Sequence, residues 1–314
     1  MEDVIVLGSG PAGLTAALYL ARANLSPLVI SGDQPGGQLM TTTDVENYPG
    51  FPDGIQGPIL MKQMRDQAQR FGARFIDRNA TGVIFSKEEN SAHTVKVGDK
   101  TLLCKALVIA TGASALWLEL PSEQRLRGKG VSACATCDGF FFRGKRVAVV
   151  GGGDTAMEEA LFLTKFATKV YLIHRRDALR GSKIMQERVL SHEKIEVLWN
   201  CRVEEVLGGQ KVEAVSLVNV ADSKKSILEI EGLFIAIGHK PNTEIFKETS
   251  LVIDSVGYIQ TEHEVWSAVN GVFVAGDVAD REYRQAITAA GSGCKAAIAA
   301  EKYLSGADMT PHAW

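Results

Sequence analysis

Cys134-Ala135-Thr136-Cys137 is followed directly by Asp138. Thiols three positions apart can close a small ring and trade a disulfide for a dithiol, and an adjacent carboxylate can carry the proton that the exchange requires. The pair stands between two glycine-rich turns, one opening at Gly8 and one at Gly151. A chain that binds two nucleotides and holds a dithiol between them reads as an electron relay. A zinc site would need a second Cys/His pair at ligand spacing, and the sequence offers none. The other cysteines, Cys104, Cys201 and Cys294, have no partner at motif spacing and read as small buried hydrophobes.

The elements that must position these thiols are duplicated. Val4-Ile5-Val6-Leu7 runs into Gly8-Ser9-Gly10-Pro11-Ala12-Gly13, and Val147-Ala148-Val149-Val150 runs into Gly151-Gly152-Gly153-Asp154-Thr155-Ala156. At a constant offset Gly8 falls on Gly151, Gly10 on Gly153, Gly13 on Ala156, and Ile30 on Ile173. Each copy reads as a buried strand, a tight turn, an amphipathic helix and a second strand, the βαβ unit of a parallel sheet. In such a unit the first glycine makes the turn, the second lets backbone approach a pyrophosphate, and the third allows close helix–strand packing. The phosphates then meet unpaired N–H groups at the helix start. Asp154 or Thr155 is the expected cap of the second helix, with Glu158 and Glu159 in its first turn.

The second strands end differently. The first closes on Ser31-Gly32, with Asp33 slightly late for an acid that would bind an adenosine ribose. The second closes on His174-Arg175-Arg176, with Arg180 nearby. Cations at that position suit a 2′-phosphate, which predicts NADPH rather than NADH.

Further apolar strands end in glycine at Ala110-Thr111-Gly112 and Ile237-Gly238, and a third runs through Val272 to Gly276-Asp277. The economical fold class is α/β, with two Rossmann-like nucleotide-binding domains, the second inserted into the first. The expected boundaries are 1–116, 117–243 and 244–314, with crossings near residues 115–119 and 240–244, where Pro121 and Pro241 interrupt regular structure.

Bulk properties fit this reading. The 314 residues suit two domains, and 46% hydrophobic with 23% charged residues is a globular composition. A net charge of −3 argues against a nucleic-acid footprint. The acidic start and the lack of an apolar run near about 20 residues predict neither a secretory signal nor a membrane span, hence a cytoplasmic protein. His93, His192 and His263 sit among charged neighbours and are expected at the surface.

Together these motifs resemble the low-molecular-weight thioredoxin reductases of the bacterial and plant type, over nearly the whole chain. To the motifs above the resemblance adds Gly36-Gly37-Gln38-Leu39, Val45-Glu46-Asn47-Tyr48-Pro49-Gly50 and Arg284-Gln285-Ala286. It implies FAD in the first domain, NADPH in the second, thioredoxin as protein substrate, and a homodimer. Gly37, Gln38, Leu39 and Asn47 then lie along the flavin beside Ala110, Thr111 and Gly112, Asp277 follows Gly276 onto the ribityl chain, and Arg284, Gln285 and Ala286 come near the ring. Cys137 matches the sulfur facing the flavin, Cys134 the thiol that attacks thioredoxin, and Asp138 the acid/base; Phe140 and Phe141 match residues that dock the substrate. The resemblance also implies rotation of the inserted domain, since its thiols and nicotinamide must both meet one flavin.

Other readings remain open at this point. A relative serving another thioredoxin-like partner usually adds an N-terminal domain, and no fused thioredoxin is expected after Tyr303-Leu304. A ferredoxin-dependent enzyme would not need the 174–176 phosphate site. A non-catalytic flavin sensor would not need the intact cysteine motif with a second nucleotide site.

Overall fold

The computed structural model describes residues 1–42, 44–86 and 91–306; the 308–314 tail singled out in the sequence lies outside them. The chain forms two compact units, Met1–Ser114 with Lys240–Trp314, and Ala115–His239.

The first unit opens with β1 (Glu2–Leu7), α1 (Pro11–Arg22) and β2 (Leu28–Ile30), followed by a short pair, β3 (Asp44–Val45) and β4 (Ile55–Gln56). Next come α2 (Gly57–Arg70), β5 (Arg74–Ile76), β6 (Gly82–Ile84), β7 (His93–Val97), β8 (Lys100–Ile109) and β9 (Ala113–Ala115). In β1, Val4, Ile5, Val6 and Leu7 are all buried, as a central parallel strand covered on both faces requires. β8 is long enough to serve two purposes. Its first half pairs antiparallel with β7, while its second half lies parallel to β1.

The second unit begins with α3 (Pro121–Leu126), β10 (Val131–Ser132), the short α4 (Ala135–Asp138), β11 (Arg146–Val150), α5 (Asp154–Leu163) and β12 (Lys169–Ile173). It continues through α6 (Lys183–Leu190), β13 (Ile195–Leu198), an antiparallel meander of β14 (Cys201–Leu207), β15 (Ala214–Asn219) and β16 (Lys225–Glu229), then β17 (Gly232–Ile235) and β18 (His239–Pro241). The chain returns to the first unit with β19 (Val272–Val274) and α7 (Ala286–Leu304).

The duplication is visible in the sheets. The first has the parallel order β5-β2-β1-β8-β19, and the second β13-β12-β11-β17-β10. The fifth strands differ in origin: β19 comes from the end of the chain, whereas β10 precedes its own fingerprint. This edge strand runs into the cysteine motif, so the thiols sit at the C-terminal end of a parallel sheet, where open α/β sheets place their ligands.

Three local expectations need correction. The cap of α5 is Gly153, not Asp154 or Thr155; Asp154 is the first helical residue, and its carboxylate accepts the Ser182 N–H at 2.8 Å. Glu158 and Glu159 therefore fall beyond the first turn, where Asp154 alone is acidic. His93 is buried rather than solvated, because the period of β7 turns it inward with Val95 and Val97. His192 is half-buried, and His263 is exposed as expected.

Candidate active site

In the first unit, Gly8 has φ +106°, and a Cβ there would lie 2.2 Å from the Ala110 carbonyl oxygen. A Cβ on Gly13 would lie 2.0 Å from the Gly8 carbonyl oxygen. These two glycines are demanded by packing. Gly10 is different, with no atom within 4 Å of its would-be Cβ. It caps α1 without any side-chain hydrogen bond, leaving an open approach to the N–H groups of Ala12 and Gly13; Pro11 has none to offer. Ser9 holds the turn in place: its hydroxyl donates to the Ser31 carbonyl at 2.9 Å and accepts the Gly36 N–H at 3.0 Å. That second bond brings the Gly37-Gln38-Leu39 turn alongside, and a Cβ on Gly37 would lie 3.4 Å from Gly10 Cα.

The remaining first-unit candidates are tied into the same framework. The Gln38 amide donates to the Ala113 carbonyl, and the Asn47 amide to Gln285 Oε1 at 3.3 Å. The Gly276 N–H donates to Ser292 of α7, and Gln285 forms a capping box with Thr288 at the start of that helix. Ala286 is the first residue of α7, and Arg284 precedes it with φ +48°. Thr111 donates its hydroxyl to the Asn242 carbonyl beside Gly112, which has φ +68°.

Asp277 follows β19, and its Oδ1 is enclosed without a hydrogen-bond partner. Burial, aided by Asp280 and opposed by Arg284, pushes this carboxyl up to about 6. Asp277 follows Gly276, whose would-be Cβ lies 2.9 Å from Ala12 Cβ in the first turn of α1, a helix without a side-chain cap. An orphaned buried acceptor in that neighbourhood is the surrounding a hydroxylated, phosphate-bearing cofactor completes. The residues therefore fit a flavin nucleotide. Asp33, late for the ribose, is instead paired with Asn79, which donates to its carboxylate and accepts its N–H.

The second unit repeats the design with one variation. A Cβ on Gly151 would lie 2.4 Å from the Ala236 carbonyl oxygen and 2.5 Å from the Ala156 side chain, while Gly153 is open within 4 Å. α5 starts at Asp154-Thr155 without a side-chain cap. His174 is buried, with Nε2 3.0 Å from the Ala178 carbonyl, and burial lowers its pKa, so the neutral ring dominates at neutral pH. Its ring lies under Gly152 rather than facing outward. Arg175, Arg176 and Arg180 are exposed, and none forms an ion pair among the described residues. The Arg180 N–H donates to the Gly152 carbonyl at 2.7 Å, tying the arginine loop to the turn. The residues fit a pyridine nucleotide.

Cys134 and Cys137 form a disulfide, with Cα atoms 5.3 Å apart. Cys134 is the N-cap of α4, and its Sγ accepts the Cys137 N–H at 3.2 Å. One turn on, the Asp138 N–H donates to the Cys134 carbonyl at 3.1 Å. Burial raises the Asp138 carboxyl above the usual carboxylate range, and a hydrogen bond from Ser132 opposes the shift. Burial that raises a carboxyl's proton affinity next to a disulfide suits it to exchange a proton with a departing thiolate. Phe140 and Phe141 stay largely exposed beyond the motif, 54% and 38%, so they are not core. Among the other cysteines, Cys104 is buried and pushed up to about 12, Cys201 is half-buried, and Cys294 lies half-buried inside α7.

Residues 2–293 match the family model described as pyridine nucleotide-disulphide oxidoreductase. The chain belongs to this family. Within it, the chain is similar to thioredoxin reductases: 52% identical to that of Mycolicibacterium smegmatis over 309 residues, covering 98% of each chain. A bifunctional thioredoxin reductase/thioredoxin of Mycobacterium leprae is 51% identical over 306 residues, which cover 97% of this chain and 66% of that one. The crystal structure of a thioredoxin reductase from Streptococcus pyogenes superposes with a TM-score of 0.91 at 40% identity, covering 98% of this chain and 99% of that one. The oxidoreductase accordingly uses a flavin, a pyridine nucleotide and a redox-active disulfide.

Sequence reasoning placed the dithiol, its acid and both turns, but missed three supports: Ser9, Ser132 and the burial of His174. Serines are too common to stand out, and His174 was read with the arginines that follow it.

Proposed function

We propose that this oxidoreductase reduces the disulfide of thioredoxin with electrons from NADPH, passed through FAD and the Cys134–Cys137 pair. The observation that carries the reading is the disulfide itself, placed at the sheet's C-terminal end next to a carboxyl whose proton affinity burial raises, on the unit that also carries the second nucleotide turn. FAD is assigned to the first turn and Asp277, and NADPH to residues 151–156 with Arg175, Arg176 and Arg180. The exposed arginines support the 2′-phosphate. The joint naming of reductase and thioredoxin in the Mycobacterium leprae relative supports the substrate.

Bound together, the two cofactors supply the electron pair that opens the disulfide. As the S–S bond takes up two electrons and one proton from Asp138, it becomes a thiolate at Cys137 and a thiol at Cys134. Cys134 returns that proton to Asp138 as it attacks a sulfur of the substrate disulfide. A mixed disulfide forms, and the substrate's other sulfur leaves as a thiolate that takes its proton from Asp138. Cys137 then attacks Cys134, restoring the internal disulfide; the second substrate sulfur leaves as a thiolate, and both it and Asp138 take up protons from solvent, which completes the substrate dithiol. Phe140 and Phe141 present an apolar surface next to this chemistry, with the Arg143 guanidinium 5.2 Å from the Phe140 ring centroid. Because the thiols and the second turn share one unit, rotation about the crossings would let each serve the flavin in turn.

We place the protein in the cytoplasm as a homodimer, to be checked by light scattering. No helix among the described residues is long and apolar enough to cross a membrane. Anaerobic titration with NADPH, then with oxidised thioredoxin, tests the function: two new thiols should appear and then be lost to thioredoxin. Thiols that form but survive excess thioredoxin would overturn the substrate; their failure to form would overturn the relay.

A further inference from the structure

Ser132 is the last residue of β10 and is buried, with Val131 and Ser132 in register with Leu233 and Phe234 of β17. Its hydroxyl oxygen accepts the Cys134 N–H at 3.0 Å, and the hydroxyl lies 3.4 Å from the Cys134 carbonyl oxygen, which also accepts the Asp138 N–H at 3.1 Å. One side chain thus touches both backbone groups of the cysteine, and the next turn of chain brings Asp138 back to the same spot. A serine hydroxyl has one proton to give and two lone pairs to offer. With a lone pair occupied by Cys134, the proton is free to choose between the Cys134 carbonyl and the Asp138 carboxylate.

We propose that Ser132 is a positioning residue for the thiol–disulfide exchange, fixing Cys134 through its amide and aligning Asp138 as the acid that protonates the departing thiolate. The proposal rests on the relay described above but not on the identity of the protein substrate. When Asp138 carries its proton, the Ser132 hydroxyl turns to the Cys134 carbonyl, weakly. When Asp138 has given its proton to the leaving sulfur, the hydroxyl swings to the new carboxylate and stabilises it. The step balances: Cys134 forms one S–S bond, the substrate S–S bond breaks, and one proton passes from Asp138 to the leaving sulfur.

The charged groups around Asp138 do not compete for this role. The elements packed most extensively against α4 are α5 and the turn at residues 139–142. α5 carries Asp154, Glu158 and Glu159, and Arg143 follows the turn, yet the perturbation of Asp138 arises from burial, opposed by Ser132. The remaining titrating groups at the site are Cys134 and Cys137 once reduced.

The dependence on the leaving group tests the idea. A weakly basic thiolate departs without help, whereas a basic one needs an acid. The protein is reduced with dithiothreitol, freed of it, and mixed in single turnovers with 5,5′-dithiobis(2-nitrobenzoate) or with oxidised glutathione. Ser132→Ala should slow exchange with glutathione roughly tenfold and leave the nitrobenzoate reaction nearly unchanged. Its loss of rate at alkaline pH should also move to higher pH, because the ionised Asp138 has lost its hydroxyl donor. Ser132→Thr, which keeps the hydroxyl, should restore the wild-type ratio, and Ser132→Gly repeats the deletion should the alanine variant not fold. Equal slowing with both disulfides would show a merely structural role and overturn the proposal, as would no slowing with either. Because neither probe is thioredoxin, failure of the substrate assignment would leave this result intact.

Discussion

The His174 ring occupies the space that a side chain at Gly152 would need: a Cβ on Gly152 would lie 2.1 Å from the ring's Cε1. The strand end and the nucleotide turn are therefore locked together at the residue that precedes the two arginines. Gly152→Ala should displace the ring at a cost of about 1–3 kcal/mol and weaken pyridine nucleotide binding. Flavin content, which the proposed function assigns to the other unit, should not change. Calorimetric titration with NADPH beside the flavin absorbance of the purified variant separates the two; equal loss of both cofactors would refute this placement.

Arg175 and Arg176 are exposed and carry no partner carboxylate among the salt bridges of the described residues. Replacing both with alanine should raise the KM for NADPH about tenfold or more, the scale of losing charge-assisted hydrogen bonds of about 1.5–3 kcal/mol. NADH should be nearly unaffected, so the comparison of the two KM values decides whether these arginines read the 2′-phosphate.

Much of this was legible in the chain because the constraints were local. Gly8 and Gly151 meet their clashes at strands whose glycine ends stand out in the sequence, Ala110-Thr111-Gly112 and Ala236-Ile237-Gly238. His93 was misplaced because its neighbours are polar, while its partners, the Asn270 carbonyl among them, arrive from far along the chain. The cap of α5 was misplaced for the opposite reason. Asp154 has the chemistry of a cap but gives its carboxylate to Ser182, a contact that exists only once the arginine loop has folded.

Cys134→Ser and Cys137→Ser should both lose thioredoxin reduction, but in different ways. With Cys137 removed, the free Cys134 should trap thioredoxin as a stable mixed disulfide, since no resolving thiol remains. With Cys134 removed, that adduct should be scarce. Non-reducing gels and intact mass read the outcome, and a reversal would exchange the two roles.

His93 predicts acid sensitivity. Its Nδ1 accepts the Ser86 N–H at 3.3 Å and its Nε2 lies 3.1 Å from the Asn270 carbonyl, so the neutral ring uses both nitrogens. Burial lowers its pKa below the unfolded value of about 6.5. The stability it contributes is present above that pH and is lost as pH falls through the folded pKa. Unfolding free energies measured by urea from pH 7.5 to 5 should decline more steeply in the wild type than in His93→Gln. Parallel curves would remove His93 from the account.

Asp277 has the opposite sign. Its carboxyl rises from the ordinary 3.8 to about 6 because it is enclosed with an unpartnered oxygen. A carboxyl raised in the folded state favours folding below its unfolded pKa, and that contribution is lost as pH rises through about 6. At neutral pH the flavin-free protein therefore holds an ionised carboxylate that costs on the order of 2–3 kcal/mol. Asp277→Asn, which needs no charge, should raise the melting temperature of the flavin-free protein at pH 7.5 and change little at pH 4.5. The same variant should bind flavin more weakly if, as proposed, the carboxylate it loses accepts a cofactor hydroxyl. Calorimetry of the flavin-free forms and flavin titration read these separately. A variant less stable without flavin at pH 7.5 would show that the carboxylate is satisfied there, and that its enclosure is not held open for a ligand.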